Sequence, residues 1–85
     1  MKLYYYNDQR KEITVKIMDD TYNPGEDNAQ HYYRLKACEG RVFDLVIPAD
    51  SAIYVKSWPD MVMISYIEVS ALLQLGELLP DHKKD

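Results

Sequence analysis

Apolar and polar residues alternate with a period of two through most of this chain, and that rhythm constrains its fold more than any other feature. Successive side chains of an extended strand point to opposite faces, so the alternation describes half-buried strands and is out of phase with a helix. It predicts strands over Leu3–Tyr6, Glu12–Asp19, His31–Cys38, Arg41–Ile47, Ala52–Ser57 and Met61–Val69. Ile13, Val15 and Ile17 share one face of the second, Tyr33 and Leu35 one face of the third, and Phe43, Leu45 and Ile47 one face of the fourth. With Ile53, Val55, Ile64 and Ile67 they make the expected inward set. Met61–Val69 is apolar on both sides, the mark of a central strand or one covered on both faces.

The breaks between strands carry turn chemistry. Asn7–Lys11 reads as a polar turn, and Asn23-Pro24-Gly25 marks the long loop from Asp20 to Gln30. Between the third and fourth strands, a three-residue Cys38-Glu39-Gly40 loop would pair Leu35 with Phe43 and Tyr33 with Leu45. A two-residue loop would set charged residues against core residues, so the hydrophobic pattern selects the longer one, with Gly40 left-handed in a bulged turn. After Ser70 the rhythm changes. Residues 71–79 hold five leucines, and Leu72, Leu75 and Leu79 would share one face of a short helix capped by Ser70. Nine free residues do not hold a helix in water, so this segment is expected to dock on its own sheet or on a partner.

Eighty-five residues suffice for one domain with a thin core. The expectation is an all-β fold: a small antiparallel β sandwich or open barrel of five to six strands with a short C-terminal helical or hooked segment. The β domain spans residues 1–69, the leucine-rich segment 70–80 and a polar tail 81–85. Cys38 is the only cysteine, which excludes an intrachain disulfide and fits a reducing compartment. The start has no apolar core of the signal-peptide kind, and no apolar run approaches bilayer length. The expected location is the cytoplasm on synthesis, or a virion, with no membrane association.

No pattern in the chain points to catalysis. It lacks G-x-S-x-G, a glycine-rich phosphate loop and H-E-x-x-H, and its three glycines stand far apart. His31, Cys38 and His82 are scattered rather than set at ligand spacing. The acidic run Asp19–Asp27 misses the EF-hand positions and reads as a solvated loop, with contact to a basic partner surface as the alternative. The chain is therefore expected to be non-enzymatic, without catalytic residues, metal or cofactor.

Two surfaces suggest binding instead. Tyr4 and Tyr6 point away from the face that Leu3 and Tyr5 share, and Trp58 stands at a turn where tryptophan can anchor an interface. With Met61, Met63, Leu72, Leu75 and Leu79 they form the candidate protein-binding set. The expected partner is another protein or a second copy in a homo-oligomer. The rival reading is an OB-like domain for single-stranded nucleic acid, in which Lys16, Arg34, Lys36 and Arg41 track phosphates while Tyr32 stacks a base. The net charge of −4 counts against it.

In strand rhythm, the run Arg41–Ile47 through Ala52–Trp58 to Met61–Ile67 resembles small accessory virion proteins of tailed bacteriophages, which are short, cysteine-poor, tyrosine-rich β domains. The resemblance covers about half the chain and transfers no functional residue. It implies a decoration or connector protein of a larger assembly. A phage-type inhibitor that binds a host protein fits the same features.

Overall fold

The structure, a computed structural model, describes residues 1–77. In chain order it contains β1 (Lys2–Tyr6), β2 (Ile13–Ile17), β3 (Tyr32–Leu35), β4 (Gly40–Asp44), β5 (Ser51–Trp58), β6 (Met61–Glu68) and α1 (Val69–Glu77). The period-two rhythm thus marks each strand. β1 and β4 form a two-stranded ribbon, and the other four strands form a sheet in the order β3-β2-β6-β5. The ribbon lies over one face of that sheet. Ile13, Val15, Ile17, Leu35, Val62 and Ile64 from the sheet close on Phe43 and Leu45 from the ribbon side, with Leu3, Tyr5, Tyr33, Ile47 and Ile53 around them.

β6 is an interior strand, as its two-sided apolar pattern requires. It runs antiparallel to β5 but parallel to β2, so the sheet is mixed rather than wholly antiparallel. The expected hairpin between β3 and β4 does not form. β3 pairs with β2, placing Leu35 beside Ile13, while β4 pairs with β1, placing Phe43 beside Leu3. The apolar pattern says which face of a strand is buried, and a two-layer fold satisfies that by packing the strands across layers. Tyr33 and Phe43 do meet, edge to face at 5.2 Å between ring centres, but from opposite layers.

The connection turns at Lys36–Glu39, where the Glu39 N–H donates to the Lys36 carbonyl at 3.1 Å. Its left-handed residue is Cys38, at φ 57°, and not Gly40, which lies inside β4. The inward set needs two changes as well. Ile67 shares the open face with Met61 and Met63, and Val62 takes the core place instead. Val55 points to the core side but stays half exposed because the ribbon does not reach β5. α1 begins at Val69, one residue before the expected cap, so Ser70 lies inside its first turn. Leu72 and Leu73 are exposed. Leu75 is placed in α1 by its backbone alone, and Leu79 lies outside the described residues.

Two buried polar side chains pin the ribbon to the sheet. Asn7, in the expected polar turn, is almost fully buried. Its amide donates to the carbonyls of Lys11 at 2.8 Å, Lys36 at 2.9 Å and Leu35 at 3.2 Å. Its carbonyl oxygen accepts from the Gln9 N–H at 3.0 Å, and its own N–H donates to the Glu39 carbonyl at 2.8 Å. One residue therefore joins the ends of β1 and β3 to the starts of β2 and β4.

Asp19 does the same at the other end of β2. One carboxylate oxygen accepts from the Thr21 hydroxyl at 2.6 Å and the Thr21 N–H at 3.0 Å. The other accepts from the Val46 N–H at 2.8 Å, just beyond β4. This residue, expected in a solvated acidic loop, is buried. Burial pushes its carboxyl up, but the bonds from Thr21 and Val46, with the nearby His31, outweigh that and hold its pKa below the ordinary aspartate value.

Asn7→Ala leaves several carbonyls without a donor and should destabilise by about 2–4 kcal/mol in urea unfolding. Asn7→Asp should be comparably harmful, because a carboxylate offers those carbonyls no N–H. For Asp19, a folded pKa below the unfolded one means its contribution is complete above about pH 4 and is lost as pH falls through the lower, folded value. The urea midpoint should therefore drop progressively below pH 4. Asp19→Asn should cost about 1–3 kcal/mol at pH 7, and a variant with an undiminished acid-induced drop would show that Asp19 is not its source.

Candidate partner-binding surface

The ribbon covers only one face of the large sheet. Strand register sets what the other face carries. Tyr32, Lys16, Met63 and Lys56 form one cross-strand row, and Arg34, Thr14, Met61 and Trp58 form the next. Ser65 and Tyr54 continue the face beyond them. Tyr32, Tyr54 and Trp58 are 45%, 44% and 39% exposed, far from the burial their rings would reach in a core.

Charge on this face is one-sided. Lys16, Arg34 and Lys56 stand in these rows, and no carboxylate does. Glu12 meets Arg34 only at the rim, at 3.7 Å. The cations lie against rings: the Lys16 ammonium is 5.3 Å from the Tyr22 ring centre and 5.5 Å from that of Tyr32, and Lys56 is 5.2 Å from Trp58. Such pairs hold a cation over an aromatic face without removing it from water. The Tyr32 hydroxyl pushes the Lys16 ammonium above its ordinary pKa, against a smaller opposing effect of desolvation.

The structure thus gathers Trp58, Met61 and Met63 from the protein-binding set and Lys16, Tyr32 and Arg34 from the nucleic-acid set onto one surface. It separates the others. Lys36 lies in the turn after β3. Arg41, in β4, donates to the Arg34 carbonyl and to Glu39, both at 3.3 Å, so it closes the outer edge of β3. Tyr54 and Lys56 were missed. Their signal was present in the alternation with Ile53 and Val55, but only the pairing of β5 with β6 sets them beside Met63 and Ser65.

A second concavity, about 530 Å³, opens between ribbon and sheet and is lined by Asp19, His31, Tyr33 and Arg41 among others. Its polar groups are largely committed. Asp19 and Arg41 make the bonds described above, and His31 packs edge-on to Tyr22 at 5.6 Å. Among the described residues, no three His, Cys, Asp or Glu side chains gather as metal ligands would, and no helix is long and apolar enough to cross a membrane.

Tyr4 and Tyr6 lie on the outer face of the ribbon, on the far side of the molecule from these rows, with Val42 directly across from Tyr4. Tyr4 leans over Gly40: a Cβ there would run into the Tyr4 hydroxyl and ring. Gly40 is thus required by a close approach and not by a left-handed backbone. Gly40→Ala should cost about 1 kcal/mol as the exposed ring is displaced, and about nothing in a Tyr4→Ala background. An equal cost in both backgrounds, read from paired denaturation curves, would mean that the ring is not the cause.

Comparison with protein-family models, curated proteins and solved structures returns no match to this chain.

Proposed function

We propose that this protein is a non-enzymatic protein-interaction module that docks its partner on the open face of the four-stranded sheet. One observation carries the reading: the centre of that face, Met61 and Met63 on the interior strand β6, is only partly buried among the described residues and is flanked by the exposed Trp58, Tyr32 and Tyr54. Large, partly exposed apolar side chains at the centre of a surface, with charges around them, are the arrangement of a protein interface. Methionine adapts to an incoming surface, and tryptophan is the residue most enriched where truncation costs affinity.

The cations narrow the partner. A surface that meets Lys16, Arg34 and Lys56 while covering the methionines is apolar at its centre and acidic around it. This fits a component of a larger assembly, the role implied by the resemblance to small accessory virion proteins. It fits equally a small inhibitor seated on a host protein.

The test uses the intact protein with two labelled probes: a panel of acidic amphipathic peptides rich in Leu and Glu, and a 15-residue oligothymidine. Peptide binding is expected, with Trp58→Ala weakening it by about 30-fold or more and Met63→Glu abolishing it. Oligothymidine binding that falls steeply with salt and is lost on reversing Lys16, Arg34 and Lys56 would replace this reading with single-stranded nucleic-acid binding. Failure to bind either probe would overturn the assignment of this face.

A further inference from the structure

β5 is a long edge strand of eight residues, and among the described residues nothing pairs with its outer side. Its hydrogen-bonding pattern can be read from the chain that continues it. The Val69 N–H donates to the Asp50 carbonyl at 2.8 Å. Opposed residues of an antiparallel ladder alternate between bonded and non-bonded pairs. Counting from Asp50, residues 52, 54, 56 and 58 bond β6. The main-chain groups of Ser51, Ile53, Val55 and Ser57 therefore face outward. The carbonyls of Asp60 and Ile64, which reach across to Thr14 and Met18 in the β2 direction, agree with this phase.

Natural edge strands are short, covered, charged (with lysine above all), or interrupted by proline, bulges or inward-pointing charges; the one charged side chain on β5, Lys56, lies over the Trp58 ring. The other edge of this sheet follows that rule, since β3 has four residues and Arg41 bonds its Arg34 carbonyl. β5 contains no proline or glycine, and it exposes Tyr54 and Trp58 on one face and Val55, at 45%, on the other.

The geometry points to a second copy of this chain as the occupant of that edge, through two-fold antiparallel pairing of β5 with β5 centred on Val55. Only odd-numbered residues can bond outward, so allowed registers set odd against odd. Centring on Val55 bonds Val55 to its symmetry mate and Ile53 to Ser57. On the open face it sets each Lys56 opposite a Tyr54, a favourable cation–aromatic pair, and each Trp58 opposite the small Ala52. Moving the centre one residue toward Trp58 sets Lys56 against Lys56, which like-charge repulsion disfavours. Moving it the other way sets Tyr54 against Tyr54 and leaves Lys56 opposite Ala52. Centring on Ser57 would also set Lys56 opposite a ring, that of Trp58, but would pair only residues 56–58 of the strand, so among registers that pair most of β5 the Val55-centred one alone matches both cations to rings. It also joins the two open faces into one surface on a sheet of twice the strand number.

This pairing goes beyond the docking face above and uses a different surface, the main-chain edge. Sedimentation velocity of the intact chain from 5 to 500 µM tests it. The expected result is concentration-dependent conversion of the 10.0 kDa monomer to a dimer. Val55→Lys, which puts two like charges on the two-fold axis in this register only, should weaken the dimer at least tenfold. Val55→Pro, which removes an outward N–H while sparing the ladder to β6, should abolish it, with an unchanged circular dichroism spectrum confirming the fold. A monomer at 500 µM, or a dimer that Val55→Lys leaves intact, overturns the proposal. Either result leaves peptide binding at the open face to stand or fall on its own titration.

Discussion

The fold depends on the buried amide of Asn7. Two sheets holding six strands between them have little core to hold them, and apolar contact alone lets one layer slide over the other. Asn7 removes that freedom, because its bonds reach the ends of four strands in both layers. Buried hydrogen bonds are directional and costly to leave unmade, so they fix a position where hydrophobic burial only favours proximity. Asp19 acts at the other end of β2, tying it to the segment after β4. Between these two points the ribbon has one place to lie.

That placement creates the candidate surface. Among the described residues the two-stranded ribbon is the one layer packed on the four-stranded sheet, so one sheet face is covered and the other is left open. On the covered side, Ile13, Val15, Ile17, Val62 and Ile64 are removed from water. On the open side, the alternate residues of the same strands must live at the surface, and they are methionine, tyrosine, tryptophan, lysine and arginine rather than a uniformly polar set. The ribbon also stops short of β5, and so Val55 is half exposed despite pointing to the core side. Among the described residues, the face opposite the ribbon has no covering layer and the outer side of β5 has no partner strand.

The alternation of residues was enough to locate the strands, and most of the core, from the sequence. Ile13, Val15, Ile17, Leu35, Phe43, Leu45 and Ile64 stand inward as the pattern requires, because a strand with a period of two cannot hide both of its sides. Trp58, Met61 and Met63 were named as candidate partner-binding residues from the sequence, Trp58 for its place at a turn and the methionines for lying on a strand apolar on both sides. The pinning residues were not. Asn7 and Asp19 sit in segments whose composition is that of solvated turns, and nothing local distinguishes a turn asparagine in water from one that bonds three carbonyls.

Sequence by itself determined which residues are extended, which side of each strand is apolar, and that β6 is either central or covered on both faces. Tertiary structure alone decided which strands are neighbours. Leu35 and Phe43 are both inward in either arrangement, so the pattern is satisfied equally by a β3–β4 hairpin and by the observed pairing across layers. The left-handed Cys38 turn carries the chain from one layer to the other, and the choice rests on Asn7 and on the parallel docking of β6 against β2, which are contacts between residues far apart in the chain. Side-chain periodicity is a local property of one strand, whereas strand partnership is set by bonds that exist only once the layers have met.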